Sequence, residues 1–211
     1  TVKNIFDVHQ ITFFKNFVFL TDTGKNRVQV LNSSNSKIEF FINVGDIRND
    51  INHINAININ KKFLFIGLNN GHANNEFKNA QIIKIPIEQV FKLKSFDALN
   101  HYSLINLDGV YHTHDIEEFD NDYLISSSNL GKIYSLNKQK FIANINPWTR
   151  GIAISSDRIF IGKSGIGKRK LRHSRYYDGE VYILNKSNFN FIKKIIIPKI
   201  GQLNDIVYVE S

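Results

Sequence analysis

Apolar residues recur along this chain in short runs with a period of two, and the runs themselves repeat. A polar residue, then any small or polar residue, then Ile opens one type of run: His9-Gln10-Ile11, Asn55-Ala56-Ile57, His114-Asp115-Ile116, Arg150-Gly151-Ile152 and Asn204-Asp205-Ile206. The intervals between them are 46, 59, 36 and 54 residues. After each of the first four comes a second run, at Phe17 to Leu20, Phe63 to Ile66, Tyr123 to Ser126 and Ile159 to Gly162. A third run follows at Arg27 to Leu31, Gln81 to Ile85, Lys132 to Leu136 and Glu180 to Leu184. A more variable fourth occupies Lys37 to Val44, Tyr102 to Leu107, Lys140 to Ile145 and Phe191 to Ile197. Alternating Val, Ile, Phe and Tyr, bounded by Asn, Gly, Asp and Ser, predict β-strands joined by tight turns.

Four strands per unit, repeated every ~40 to 45 residues, predict an all-β fold: a β-propeller of four-stranded antiparallel blades. The whole of residues 1–211 reads as one such domain. The count is four full units plus a fifth inner strand at Asn204–Ile206, hence five blades with the last incomplete, or six or more if further residues precede the chain. One helix is expected as an insertion, over Ile87 to Leu99.

The propeller pattern predicts where chemistry gathers. First strands line a central channel in such a fold, so their opening residues share one mouth. Residues two apart on a strand share a face, which gives two tiers. The inner tier is His9, Asn55, His114, Arg150 and Asn204, and the outer is Asp7, His53, His112, Trp148 and Gln202. Buried polar groups can simply bond one another, so a structural role competes at every position. As a set they suggest a site. His9, His53, His112 and His114, with Asp7 as an oxygen ligand, could hold one divalent metal ion such as Zn, Fe, Mn or Ca. Alternatively His9 or His114 serves as a general acid or base, oriented by Asp7 or Asp115, while Arg150 holds an anionic group. Asn55, Asn204, Trp148 and Gln202 would complete a ligand site.

Composition adds an anionic bias. The formal net charge is +8, and six of the 13 residues from Lys163 to Arg175 are Lys or Arg. That segment is one of two enlarged connections between second and third strands, the other being Asn69 to Ala80. Lys168, Arg169, Arg172 and Arg175 are therefore candidate contacts for phosphate, sulfate or carboxylate. Heavy use of Asn, Ile, Lys and Phe offers a compositional origin for the net charge. The absence of Cys excludes disulfides, thiolate metal sites and a Cys nucleophile. No apolar stretch reaches the ~20 residues of a membrane helix. Walker, dinucleotide and Ser-elbow sequences are missing too, which removes kinase, dehydrogenase and serine hydrolase readings. The compartment stays open, with a soluble cytoplasmic protein slightly preferred.

The segments TDTGKNRVQVLN and GEVYILN resemble NHL-type and related propellers, and the last third, from Trp148 to Val209, resembles uncharacterised bacterial propellers. The segment YHTHDIEEFDNDYLISSSNLGKIYSLN resembles the inner-strand pattern of arylsulfotransferase propellers, in which a His-Asp-Ile element precedes an Asn- or Asp-Gly turn. That resemblance implies sulfuryl transfer by channel histidines and points to His114. The leading expectation is a small-molecule-binding propeller, metal- or histidine-dependent, acting on an anionic substrate. The alternative is a non-catalytic interaction module for a protein or glycan, with nucleic acid the least favoured partner.

Overall fold

The structure, a computed structural model, describes residues 7–48, 50–69, 78–165 and 177–209. The chain divides into two compact units, Thr1–Thr113 and His114–Ser211.

In the first unit, β1 (Val8–Phe14), β2 (Phe17–Asp22), β3 (Arg27–Asn32) and β4 (Ile38–Asn43) form one antiparallel meander. A second consists of β5 (Ile54–Ile59), β6 (Phe63–Leu68) and β7 (Gln81–Pro86), with β8 (Phe96–Asp97) leaving to join the first sheet and β9 (Leu104–Asn106) closing the second. In the second unit one sheet contains β10 (Thr113–Phe119), β11 (Asp122–Ser127), β12 (Lys132–Ser135) and β13 (Lys140–Asn144). The other contains β14 (Thr149–Ile154), β15 (Arg158–Lys163), β16 (Gly179–Asn185) and β17 (Phe191–Ile197). The expected fold class is the one observed: all-β, in sequential, chiefly antiparallel sheets of four or five strands.

Local chemistry explains the strand ends. Phe14 pairs with Phe17 across a two-residue turn in which Lys15 takes φ +53°, and Asp120 repeats this conformation at +52° before β11. Such left-handed turns match the twist of the strands they join. Interior strands are buried on both faces, as in β3 and β6, because sheet packs on sheet.

Two expectations are corrected. The helix α1 (Ile87–Leu93) is shorter than the span to Leu99, because Lys94 takes φ +54° and turns the chain out. Its apolar spacing continues past that point, but Phe96 and Asp97 pair with β4 instead, opposite Ile42 and Asn43. Phe91 of α1 packs its ring 5.1 to 6.4 Å from those of Phe14, Phe17, Phe19 and Phe40, anchoring the insertion in the core. The fifth inner strand is also absent: residues 201–209 hold no strand. The segment is instead pinned to β14 and β15. Leu203 exchanges hydrogen bonds with the Ser164 hydroxyl at 2.8 and 3.1 Å, and Tyr208 stacks on Phe160 at 5.7 Å. Without a second strand to pair with, its alternation cannot form a ladder.

Candidate functional site

Each inner strand begins directly after a residue in the left-handed region: Asp7 (φ +62°), His53 (+43°), His112 (+53°) and Trp148 (+74°). These are four of the five expected outer-tier residues. Three of the strands, β1, β5 and β14, also shift register within their first few residues. Period-two alternation requires extended backbone throughout, so a left-handed residue followed by a bulge redirects the outer-tier side chains.

The result is a different grouping. In the first unit, the inner-tier His9 meets the outer-tier His53 of the following sheet, with ring centroids 5.0 Å apart and planes at 72°. Each imidazole has its own carboxylate. His9 Nε2 lies 3.3 Å from Asp7 Oδ2, and His53 Nδ1 lies 2.6 Å from Asp50 Oδ2. His53 forms the floor, 7% exposed at its side chain, while Asp7 is 66% exposed at the rim. The other Asp50 oxygen, Oδ1, is buried without a hydrogen-bond partner among the described residues, and so is Oδ1 of the buried Asn55 on β5. Two acceptors that lack donors suit a ligand or water that brings hydroxyl or N–H groups.

A carboxylate on one ring nitrogen fixes the tautomer of a neutral imidazole. The Nδ1 proton of His53 then points to Asp50, and the Nε2 proton of His9 points to Asp7. Asp50 is the candidate site residue that sequence reasoning missed. Its signal was present as Asp50-Ile51-Asn52-His53, a three-residue spacing across a turn.

The metal expectation fares differently. Among the described residues, no group of three or more His, Asp or Glu side chains is arranged to hold a metal ion, and Asp7, His9, His53, His112 and His114 do not make one.

In the second unit His114 is half-buried on β10, Arg150 and Asp115 are buried, Trp148 and Gln202 are half-buried, and Asn204 is exposed. The Asp115 carboxylate accepts from the backbone N–H of Ile116 and of Ile152, joining two inner strands. Gln10 does the same in the first unit, accepting from Ile57 N–H at 2.7 Å. At two of the five repeated triplets, the middle residue is thus a staple between neighbouring sheets. Beside Asp115 stands Glu117, whose carboxyl is pushed up to about 8 by desolvation first and then by the negative fields of Asp115, Asp205 and Glu118. Asp205 is also raised, by burial of its carboxyl. Lys168, Arg169, Arg172 and Arg175 lie outside the described residues. No described helix is long and apolar enough to cross a membrane.

No family model matches the chain, and no curated protein matches it. Solved structures do. Hydrazine synthase of Kuenenia stuttgartiensis superposes with a TM-score of 0.54 at 9% identity, over 87% of this chain and 46% of that one. PorZ, a bacterial surface component of the type-IX secretion system of Porphyromonas gingivalis, superposes with a TM-score of 0.54 at 11% identity, over 95% of this chain and 22% of that one. The chain spans less than half of either structure. At such identities the likeness concerns the fold alone.

Proposed function

We propose that the chain is a propeller-like small-molecule-binding module whose working site is the His9–His53 pair, flanked by Asp7 and Asp50, and that it takes an anionic ligand and exchanges a proton with it. The observation that carries this reading is the contact of two carboxylate-held imidazoles, one buried and one near the surface. A carboxylate-oriented imidazole is the standard means of keeping a base in one tautomer. Here the expected Asp7–His9 pair forms, and the Asp50–His53 pair doubles it. The anionic ligand class rests on the formal net charge of +8. The unpartnered acceptors at Asp50 and Asn55 further favour an oxyanion or ester carrying hydroxyl groups. Sulfuryl transfer at His114 is not part of this proposal, because Asp115, the neighbouring carboxylate, serves the backbone of two strands.

Calorimetric titration with inorganic phosphate and sulfate tests it. Saturable binding is expected. His53→Gln should abolish it and Asp50→Asn weaken it, with folding unchanged by circular dichroism. Absence of binding, or binding indifferent to His53→Gln, would remove the site.

A further inference from the structure

The outer strand of the first sheet does not end that sheet. On its far edge β4 carries β8 as a parallel fifth strand, Phe96 beside Ile42 and Asp97 beside Asn43. The side chains complete the fit. Phe96 is 8% exposed and covers Ile42 and Val44, both fully buried, while Asp97 Oδ1 accepts from the N–H of Gly45 at 3.1 Å and of Leu99 at 3.0 Å. A segment of the second sheet's insertion thereby fills the space between two adjacent outer strands.

The second unit has the same space, which no described strand fills. Correspondence between the two is residue by residue. Ile42 lies opposite Val28 in β3, and Ala143 lies opposite Ile133 at the same position of β12. Val44 N–H donates to Asn26 at 2.8 Å, and Ile145 N–H donates to Gly131 at 2.7 Å. Ala143 therefore stands where Ile42 does, and Ile145 where Val44 does. Yet β13 is the last strand of its sheet, and Ala143 and Ile145 are half-buried rather than sealed. Beside them opens a cleft of about 450 Å³ lined by Ile142, Ala143, Ile145, Tyr182, Leu184 and Phe191. Phe191 is 59% exposed. Ala143 is smaller than its counterpart, which enlarges the space for an incoming side chain.

We infer that this cleft is a docking site for an extended peptide of another polypeptide, which adds to β13 as a parallel fifth strand and seats a large aromatic side chain followed by an acidic residue. Strand addition to an open edge, with a pocket for one side chain, is a recurring mode of peptide recognition. The internal precedent sets the register, and two exposed lysines, each two residues from a lining side chain, Lys140 on β13 and Lys193 on β17, set the charge, while Lys194 is already paired with Glu180 at 3.2 Å. A second copy of this chain is the poorer occupant, since its own Phe96–Asp97 segment is already seated in its first unit. The site belongs to the second unit and His9 and His53 to the first, so it stands or falls independently of them.

The probe is a synthetic peptide with the sequence of Lys94 to Tyr102, blocked at both ends, added to the full isotope-labelled chain. Saturable amide shifts are expected at Ala143, Asn144, Ile145 and Tyr182, with a dissociation constant of about 10–100 µM, typical of short strand-adding contacts. Replacing the peptide's Phe by Ala should weaken binding at least tenfold. Ala143→Arg, which fills the cleft, should abolish the shifts; Phe191→Asp, at an exposed position that tolerates change, should weaken them if Ala143→Arg fails to fold. Several results would overturn the inference: no shift at millimolar peptide, shifts confined to β17, shifts at Ile42 and Asn43 from exchange with β8, or binding indifferent to the substitutions.

Discussion

Glu117→Gln is expected to stabilise the second unit at pH 8 and to change little at pH 5. The folded carboxyl sits at about 8 against an unfolded value of 4.5. A raised folded value means that the folded state holds the proton longer, so Glu117 opposes folding increasingly as pH rises from ~4.5 to ~8. Each pH unit of that window is worth about 1.4 kcal/mol at most, giving a ceiling near 5 kcal/mol. Glu117 is half-buried, and solvent screening brings the expected gain to roughly 2–3 kcal/mol. Gln keeps the shape and removes the charge, leaving Asp115 in place on its backbone amides. The measurement is denaturant unfolding followed by the fluorescence of Trp148, the only tryptophan, which reports on this unit. A difference between the two proteins that does not grow with pH would contradict the account of Glu117.

Gly131→Ala carries the other large effect. Gly131 takes φ +64° at the connection between β11 and β12, and a Cβ there would stand 1.9 Å from the carbonyl carbon of Asn146. That neighbour is backbone, held by Ile145 N–H donating to Gly131 and Trp148 N–H donating to Ser128. It cannot swing aside. The left-handed conformation alone would cost an alanine about 1–2 kcal/mol, and the collision raises the expected loss to roughly 4 kcal/mol. Gly131→Asn separates the two causes, since Asn tolerates the conformation and still collides. Both variants should melt far below the parent. A loss near 1 kcal/mol for Ala, with Asn nearly neutral, would show that the close approach to Asn146 is not real. The corresponding position of the first sheet holds Asn26, at φ +44°, which is accommodated and hydrogen-bonds Asp46 and Asn52.

Strands were legible in the sequence because their determinants are local. The third-strand runs fall within β3, β7 and β16, the run at Lys132 to Leu136 overshoots β12 by one residue, and the fourth-strand run Phe191 to Ile197 matches β17. Those stretches combine alternation with Asn, Asp or Gly at the turns. The helix was overextended for a tertiary reason: Phe96 belongs to the helical spacing but gains more from pairing beside Ile42. Asn204 to Ile206 has the inner-strand pattern, and pattern alone cannot supply a pairing partner.

The site was legible in its residue types and not in its geometry. His9 and His53 were both singled out, but in separate tiers. They meet because left-handed residues and bulges at the strand starts override simple alternation. Asp50 escaped notice because its role depends on a turn that folds it onto His53. Glu117 escaped because its perturbation comes from Asp205, 88 residues away in the chain, as well as from its sequence neighbours. His112 and His114 carried the histidine count without joining a metal-holding group.

The central claim is that His9 and His53 act together on a ligand. Long-range nitrogen–proton NMR of the imidazole side chains, recorded with and without inorganic phosphate, tests it most directly. The account predicts that His53 carries its proton at Nδ1, toward Asp50, and that phosphate shifts both rings together. A pair in which neither ring, or only one, responds to phosphate would contradict it.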